Sequence, residues 1–110
     1  MNEPKSELLH GTLEMLVLQV LSSTPLHGYA IAQELQQLSN EVLQVEQGSL
    51  YPALYRMEKR GWLKSKWGMS EKNRRARVYQ LTRAGRRRLT SEAAGWEQFA
   101  SAVAKVMGAG

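Results

Sequence analysis

The chain has 110 residues, 43% of them hydrophobic and 23% charged, a length and balance that fit one globular domain and leave too little chain for two. It contains no cysteine, which excludes disulfides, thiolate metal sites and a catalytic thiol. The charges are unevenly placed: residues 1–50 hold one cation and six glutamates, whereas residues 51–110 hold fourteen cations and four glutamates. A positive field confined to one half of a small domain indicates a polyanionic partner, although a solubilising surface would give the same counts.

Two helices are predicted in the first forty residues. The first spans 12–22 and ends before Thr24-Pro25, since the residue before a proline is driven out of the helical region. The second spans 28–38 and ends at Ser39-Asn40. Apolar residues at helical spacing define the buried sides of these helices: Leu13, Leu16, Val17 and Val20 in the first, and Ile31, Leu35 and Leu38 in the second.

A third helix is predicted from Gly48-Ser49 to Arg60, with Gly61 as its C-terminal cap. Pro52 sets the start, because proline is tolerated in the first turn, where backbone N–H groups have no helical partner. The predicted core stripe is Leu50, Leu54 and Met57. On a helical wheel the opposite side then carries Ser49, Pro52, Tyr55, Arg56 and Lys59, with Tyr51 on its flank.

Two extended runs follow, 63–67 and 77–81, in which apolar and polar residues alternate with the period of a β-strand. The polar connection between them, 68–76, predicts a hairpin with a long, basic tip. The cations of the hairpin that follow its first strand are Lys72, Arg74, Arg75 and Arg77.

A last helix is predicted from an N-cap at Thr82 towards Met107, roughly 39 Å at ~1.5 Å per residue. Gly85 and Gly95 each weaken it by about 1 kcal/mol relative to alanine, so it needs packing to hold it. Apolar residues spaced alternately four and three apart predict a heptad seam: Leu89, Ala93, Trp96, Ala100, Val103 and Met107. The helix is too long to bury this seam on its own domain, which predicts a homodimer, and Leu13 is assigned to the same interface.

Three helices followed by a two-stranded hairpin predict a mainly α fold of the α+β class: a winged helix-turn-helix over 1–81 and a coiled-coil-like dimerisation helix over 82–110. In a helix-turn-helix the second helix of the motif enters the major groove of DNA. Arg56 could then donate a bidentate pair to guanine, and Ser49 suits a phosphate oxygen. The hairpin cations would reach phosphates or the minor groove. Tyr29 fits either a phosphate contact or an aromatic packed on the first helix.

Several stretches resemble the PadR family of transcriptional regulators: Leu9-His10-Gly11-Thr12-Leu13, His27-Gly28-Tyr29, Gly48-Ser49-Leu50-Tyr51-Pro52-Ala53-Leu54, Glu58-Lys59-Arg60-Gly61-Trp62-Leu63 and the run from Arg74 to Gly85. The resemblance implies a homodimer that binds an inverted-repeat operator in double-stranded DNA, and repression relieved by a small molecule. It also implies that Trp96, with Phe99 one turn on, stacks on flat aromatic ligands at the dimer interface. From the residues alone, Trp96 fits a core aromatic of the seam equally well. The short C-terminal segment departs from longer family members, whose larger C-terminal domain holds the effector.

Two other classes stay open: a protein-interaction adaptor that uses the C-terminal seam, and a basic RNA-binding protein. An enzyme is not expected, because the chain has no aspartate, no cysteine and no glycine-rich phosphate loop. No cofactor or metal is predicted, and His10 and His27 are interpreted as structural. The polar N-terminus and the lack of an apolar run near 20 residues predict a cytoplasmic protein without membrane contact.

Overall fold

The computed structural model describes residues 4–69 and 72–108, and side chains from Thr12 onward. The described part contains four helices and a three-stranded antiparallel sheet, which confirms the predicted α+β winged helix. The elements in chain order are α1 (Pro4–Leu21), β1 (Leu26–His27), α2 (Gly28–Leu38), α3 (Gln47–Lys59), β2 (Leu63–Met69), β3 (Arg75–Leu81) and α4 (Arg83–Val106). Among the described residues, no helix has both the length and the apolarity to cross a bilayer.

Helix α1 is longer and more deeply buried than predicted. It begins at Pro4, where a first-turn proline costs no hydrogen bond, and not at the first residue of the apolar pattern. Because α1 contacts α2, α3, α4 and β3, it is covered on several sides. Its buried side chains are Leu13, Val17, Leu18, Val20 and Leu21, of which Leu18 and Leu21 lie outside the predicted stripe.

Strand β1 was not predicted, and it makes the sheet three-stranded instead of two-stranded. Leu26 pairs with Tyr79 and His27 pairs with Val78, so the strand order is β1-β3-β2. Two residues are too few for an alternating pattern to be visible in the sequence. His27 then caps α2, its Nδ1 accepting a hydrogen bond from the N–H of Ala30 at 3.3 Å, which agrees with a structural role.

Helix α2 has the predicted bounds, but one of its predicted core residues is exposed. Ile31 and Leu35 are buried, whereas Leu38 is 70% exposed because it lies in the last turn, at the edge of the core. Ser39 ends the helix at the predicted place: its N–H and its hydroxyl both donate to the Leu35 carbonyl, at 3.3 and 2.8 Å.

Helix α3 begins at Gln47, slightly earlier than predicted, so Pro52 lies in its second turn instead of its first and removes one helical hydrogen bond. Its end follows the prediction. Gly61 adopts a φ of 82°, and the N–H groups of Gly61 and the next residue donate to carbonyls of the last turn at 3.0 Å each. Helix α3 and its neighbours supply the largest fully buried side chains: Val17, Leu18, Ile31, Leu50, Leu54, Met57 and Leu63.

The hairpin strands are longer than predicted, and the tip is correspondingly shorter. Pairing runs from Leu63 opposite Leu81 to Met69 opposite Arg75. The connection is therefore 70–74 instead of 68–76. Arg75, predicted in the tip, lies on strand β3, and Arg77 lies on β3 as predicted. On the face of the hairpin that carries Leu63 and Leu81, the base is buried in the core and the outer half is exposed.

Helix α4 is fastened to the turn that follows α3. Thr82 is the N-cap, as predicted: its Oγ1 accepts from the N–H of Gly85 at 3.0 Å, and its hydroxyl donates to the carbonyl of Gly61 at 2.6 Å. A Cβ on Gly85 would lie 2.1 Å from the Trp62 carbonyl oxygen, so only glycine allows this close approach. From there α4 extends for roughly 36 Å at ~1.5 Å per residue.

Candidate nucleic-acid interface

The side of α3 that faces away from the core is polar, cationic and accessible. Tyr55 is 64% exposed, and Nζ of Lys59 lies 5.4 Å from the centroid of its ring. Ser49, Pro52 and Arg56 are exposed as well. The α3 residues predicted to contact DNA are therefore accessible to solvent.

Arg56 lies beside a carboxylate that no pattern in the sequence associates with it. Oε2 of Glu14 on α1 is 3.5 Å from Nε of Arg56, and its Oε1 is 3.4 Å from Nη1 of Arg60. Both arginine side chains remain about half exposed, at 48% and 52%. The carboxylate therefore holds Arg56 towards the α1 edge of the helix while leaving its guanidinium accessible to solvent.

A cleft of about 860 Å³, here called the wing cleft, lies between the start of α2, the start of α3 and the outer half of the hairpin. Tyr51 of α3 packs so closely on α2 that a Cβ on Gly28 would lie 2.6 Å from its ring. Tyr29 is 51% exposed and lines the same cleft, as a phosphate contact requires. The aromatic and cationic lining consists of Tyr29, Tyr51, Trp67, Tyr79, Lys72, Arg74, Arg75 and Arg77.

Trp67 on β2 lines this cleft and is not among the site residues predicted from the sequence. It lies opposite Arg77 in the β2–β3 register. The guanidinium carbons of Arg75 and Arg77 lie 4.8 and 4.9 Å from its ring centroid. The signal was present in the alternation of both strands, because pairing Leu63 with Leu81 places Trp67 across from Arg77.

Hydrogen bonds connect this part of the hairpin to α3. Nη1 of Arg77 donates to Oγ of Ser65 at 2.9 Å, and the Ser65 hydroxyl donates to Oε2 of Glu58 at 2.8 Å. The relative placement of α3 and the hairpin is therefore supported by polar contacts as well as by the core beneath them.

Tyr79 forms the buried end of the cleft. Burial and, next, the Glu58 carboxylate raise the pKa of its phenol above the usual value near 10, against a smaller opposite effect of Arg77. The phenol is therefore neutral at physiological pH and adds no negative charge to a site surrounded by cations.

A second concave surface, here called the α1–α4 groove, measures about 660 Å³. It is lined by Met15, Leu16, Gln19, Leu89, Ala93, Trp96, Glu97, Ala100 and Ser101. Phe99 is adjacent, with ring centroids 6.3 Å from Trp96 and an interplanar angle of 46°. Along the predicted seam Trp96, Val103 and Met107 are 44%, 42% and 77% exposed. Leu13, assigned above to the dimer interface, is only 4% exposed because it packs in the core of its own chain.

Among the side chains that the structure describes, from 12–69 and 72–108, no three His, Cys, Asp or Glu are grouped so that they could hold a metal ion. His10, interpreted above as structural, lies among residues whose side chains are outside the described part of the chain.

The family model described as "Transcriptional regulator PadR-like family" matches residues 17–91, from the C-terminal part of α1 into α4. The chain belongs to the PadR-like family of transcriptional regulators. It is therefore a DNA-binding regulator with a winged helix, and both the α3 face and the wing cleft of this PadR-like protein carry cations.

Relatives support the assignment over nearly the whole chain. "Transcriptional regulator Rv3488" of Mycobacterium tuberculosis is 33% identical over 97 residues, which cover 88% of this chain and 87% of the relative. A PadR family transcriptional regulator from Eggerthella lenta has 34% identity and a TM-score of 0.76, covering 92% of this chain and 86% of the other. A transcriptional regulator from Clostridium thermocellum has 25% identity and a TM-score of 0.81, covering 90% and 96%.

Proposed function

We propose that this PadR-like protein is a homodimeric repressor that binds an inverted-repeat operator, with α3 in the major groove and the hairpin on the adjacent backbone. The observation that carries the proposal is the wing cleft, in which Tyr51 of α3 and four hairpin cations line one surface. A helix and a ribbon that share such a surface can engage one duplex together.

The residues divide by role. Arg56 and Lys59 on the outer face of α3 are positioned for base edges, where a bidentate arginine–guanine pair contributes about 1–3 kcal/mol of discrimination. Ser49 and the hairpin cations suit phosphate oxygens, which fix the register but carry no sequence information. Tyr29 and Tyr51 can donate their hydroxyls to a phosphate that passes through the cleft.

The exposed apolar side of α4 supports the dimer. Phe99 and Val106 are 61% and 85% exposed in addition to the seam residues named above. A single chain leaves this surface in water at a cost of roughly 25 cal/mol per Å². A second copy is the occupant that fits best, because a heptad seam is self-complementary. Residues 82–110 thus act as the dimerisation segment.

The α1–α4 groove is the proposed effector site. Trp96 lies in its wall and Phe99 packs against Trp96, so a flat aromatic molecule could stack there between the two helices. Because α1 also contacts α3, a ligand that displaces α1 would move the DNA-reading helix. Ligand binding would then weaken DNA binding and relieve repression.

Binding to the protein's own upstream DNA and to a shuffled duplex tests the proposal. We expect the triple variant Arg56→Ala, Arg74→Ala, Arg75→Ala to lose about 10²–10³-fold in affinity at physiological salt. The matched control Arg83→Ala, Arg87→Ala, Lys105→Ala removes the same charge from α4 and should retain most of the affinity. Equal binding of wild type to both duplexes would contradict a sequence-specific repressor.

The same assay separates the two other classes. If the triple variant binds as wild type does, the hairpin and α3 cations serve only solubility, and an adaptor acting through α4 is the better account. If structured RNA displaces duplex DNA, the protein is an RNA binder. The exposed aromatics Tyr29, Tyr51 and Trp67 are the features that would favour RNA, because base stacking needs accessible rings.

A further inference from the structure

We propose that Trp67 is a positioning residue of the DNA interface: its indole holds Arg75 and Arg77 as a paired phosphate-binding unit, against which one DNA strand passes through the wing cleft. The proposal rests on the function proposed above. It adds a residue that neither the sequence motif nor the base-reading face includes, and it assigns the ligand of the cleft as the sugar-phosphate strand.

The first argument is the placement of the indole. Trp67 lies on the outer half of the hairpin and is 56% exposed, so it adds little to the buried core at the hairpin base. It contacts two guanidinium groups, at 4.8 and 4.9 Å from the ring centroid. Tryptophan is the best aromatic partner for a cation, and arginine stacks on it while its N–H groups stay free for other acceptors.

The second argument is that Arg77 is held at two points. Its guanidinium lies over Trp67, and its Nη1 donates to Ser65, which in turn donates to Glu58 of α3. A side chain that is already ordered loses less conformational freedom when it binds. The remaining N–H donors of the guanidinium match the geometry of a phosphate.

The third argument is the composition of the cleft. Among the described residues that line it, four are cations and none is a carboxylate, and Tyr79 is neutral at its buried end. Tyr29 and Tyr51 contribute hydroxyl donors from the opposite wall. Cations, hydroxyl donors and exposed rings in one open channel suit a phosphodiester strand, whose phosphates are anionic and whose sugars are partly apolar.

The experiment measures affinity for operator and shuffled duplexes over a range of salt concentrations. We expect Trp67→Leu to weaken binding to both duplexes alike, by about three- to tenfold. The slope of log affinity against log salt concentration, which counts the neutralised phosphates, should fall by the amount that about one phosphate contact contributes. Trp67→Phe should recover most of both quantities, since a flat ring is restored. Gln80→Ala, an uncharged change on the other face of the hairpin, is the control that leaves the stack intact.

Unchanged affinity and salt slope in a folded Trp67→Leu protein would overturn the proposal. If that variant does not fold, fluorescence of Trp62→Phe, Trp96→Phe protein, in which Trp67 is the remaining indole, decides the question. Quenching and protection from acrylamide on addition of duplex are expected, and an unchanged, fully accessible signal would refute the contact. A wild type that binds both duplexes equally, yet is weakened by Trp67→Leu, would refute the operator proposal and leave this one standing.

Discussion

Single residues at the interface combine contacts that come from distant parts of the chain. Arg56, which we propose reads a base, is partnered by Glu14 on another helix. Exposed ion pairs contribute about 0–1 kcal/mol to stability, so this contact matters more for where the guanidinium lies than for holding the fold. Glu14 also places a negative charge near the path that we propose for the phosphates.

Replacing Glu14 should therefore change DNA binding more than it changes stability. We expect Glu14→Gln to bind a shuffled duplex several-fold more tightly, because a repulsive charge is lost and two arginines are released. Discrimination in favour of the operator should fall, since Arg56 is less well oriented. Titration of the Glu14→Gln protein with both duplexes measures the two affinities. The control is Glu34→Gln, which removes the same charge from α2. A larger operator preference in Glu14→Gln would contradict it.

At this scale the sequence predicted local chemistry well and distant contacts poorly. The caps at Gly61 and Thr82 were predicted because each depends on neighbours within a few residues. The Glu14–Arg56 pair arises from the packing of α1 on α3, and no short-range pattern encodes it. Leu38 fits the apolar spacing of α2 and is nevertheless exposed, because periodicity does not tell where the core ends.

At the scale of elements, steric contacts explain why the hairpin departs from its predicted form and why the two glycines of α4 differ from each other. Gly68 and Ala76 read as loop residues, yet they pair with each other within the sheet. A Cβ on Gly68 would lie 2.9 Å from Cγ2 of Val78, so a small residue is needed there to continue the strand. From the sequence, Gly85 and Gly95 are both predicted to weaken α4 to the same extent. Of the two, only Gly85 is in close contact with residues outside α4.

The two glycines of α4 should therefore respond to alanine in opposite directions. Gly85→Ala is expected to destabilise the protein by about 2–4 kcal/mol, because its methyl group would overlap the Trp62 carbonyl and displace the start of α4. Gly95→Ala meets no atom within 4 Å and should stabilise it by up to about 1 kcal/mol through helix propensity. Urea unfolding at one protein concentration measures both. A neutral Gly85→Ala would show that α4 does not rest on this turn.

The whole molecule is an elongated body of 50 × 32 × 23 Å, in which the surface that we propose reads DNA and the apolar side of α4 lie on separate elements. The function proposed for it requires two copies, since an inverted repeat is matched by a protein with two-fold symmetry. The exposed seam of α4 is the surface on which this requirement depends.

Sedimentation at micromolar concentration should therefore find a dimer. Trp96→Ala is expected to weaken dimerisation at least about tenfold, because large aromatic side chains dominate interface energies. Val42→Ala, which also truncates an exposed apolar residue but outside α4, should leave the dimer unchanged. A monomer in the wild type, or a dimer indifferent to Trp96→Ala, would contradict the role given to α4.

The central claim, that α3 and the hairpin form one DNA-facing surface, is tested most directly by titrating labelled protein with duplex DNA and following its backbone amide resonances. The account predicts that shifts concentrate in 28–33, 47–60 and 65–77, with the indole N–H of Trp67 among the resonances that move. Shifts confined to 89–107 on α4, with α3 and the hairpin unaffected, would contradict it.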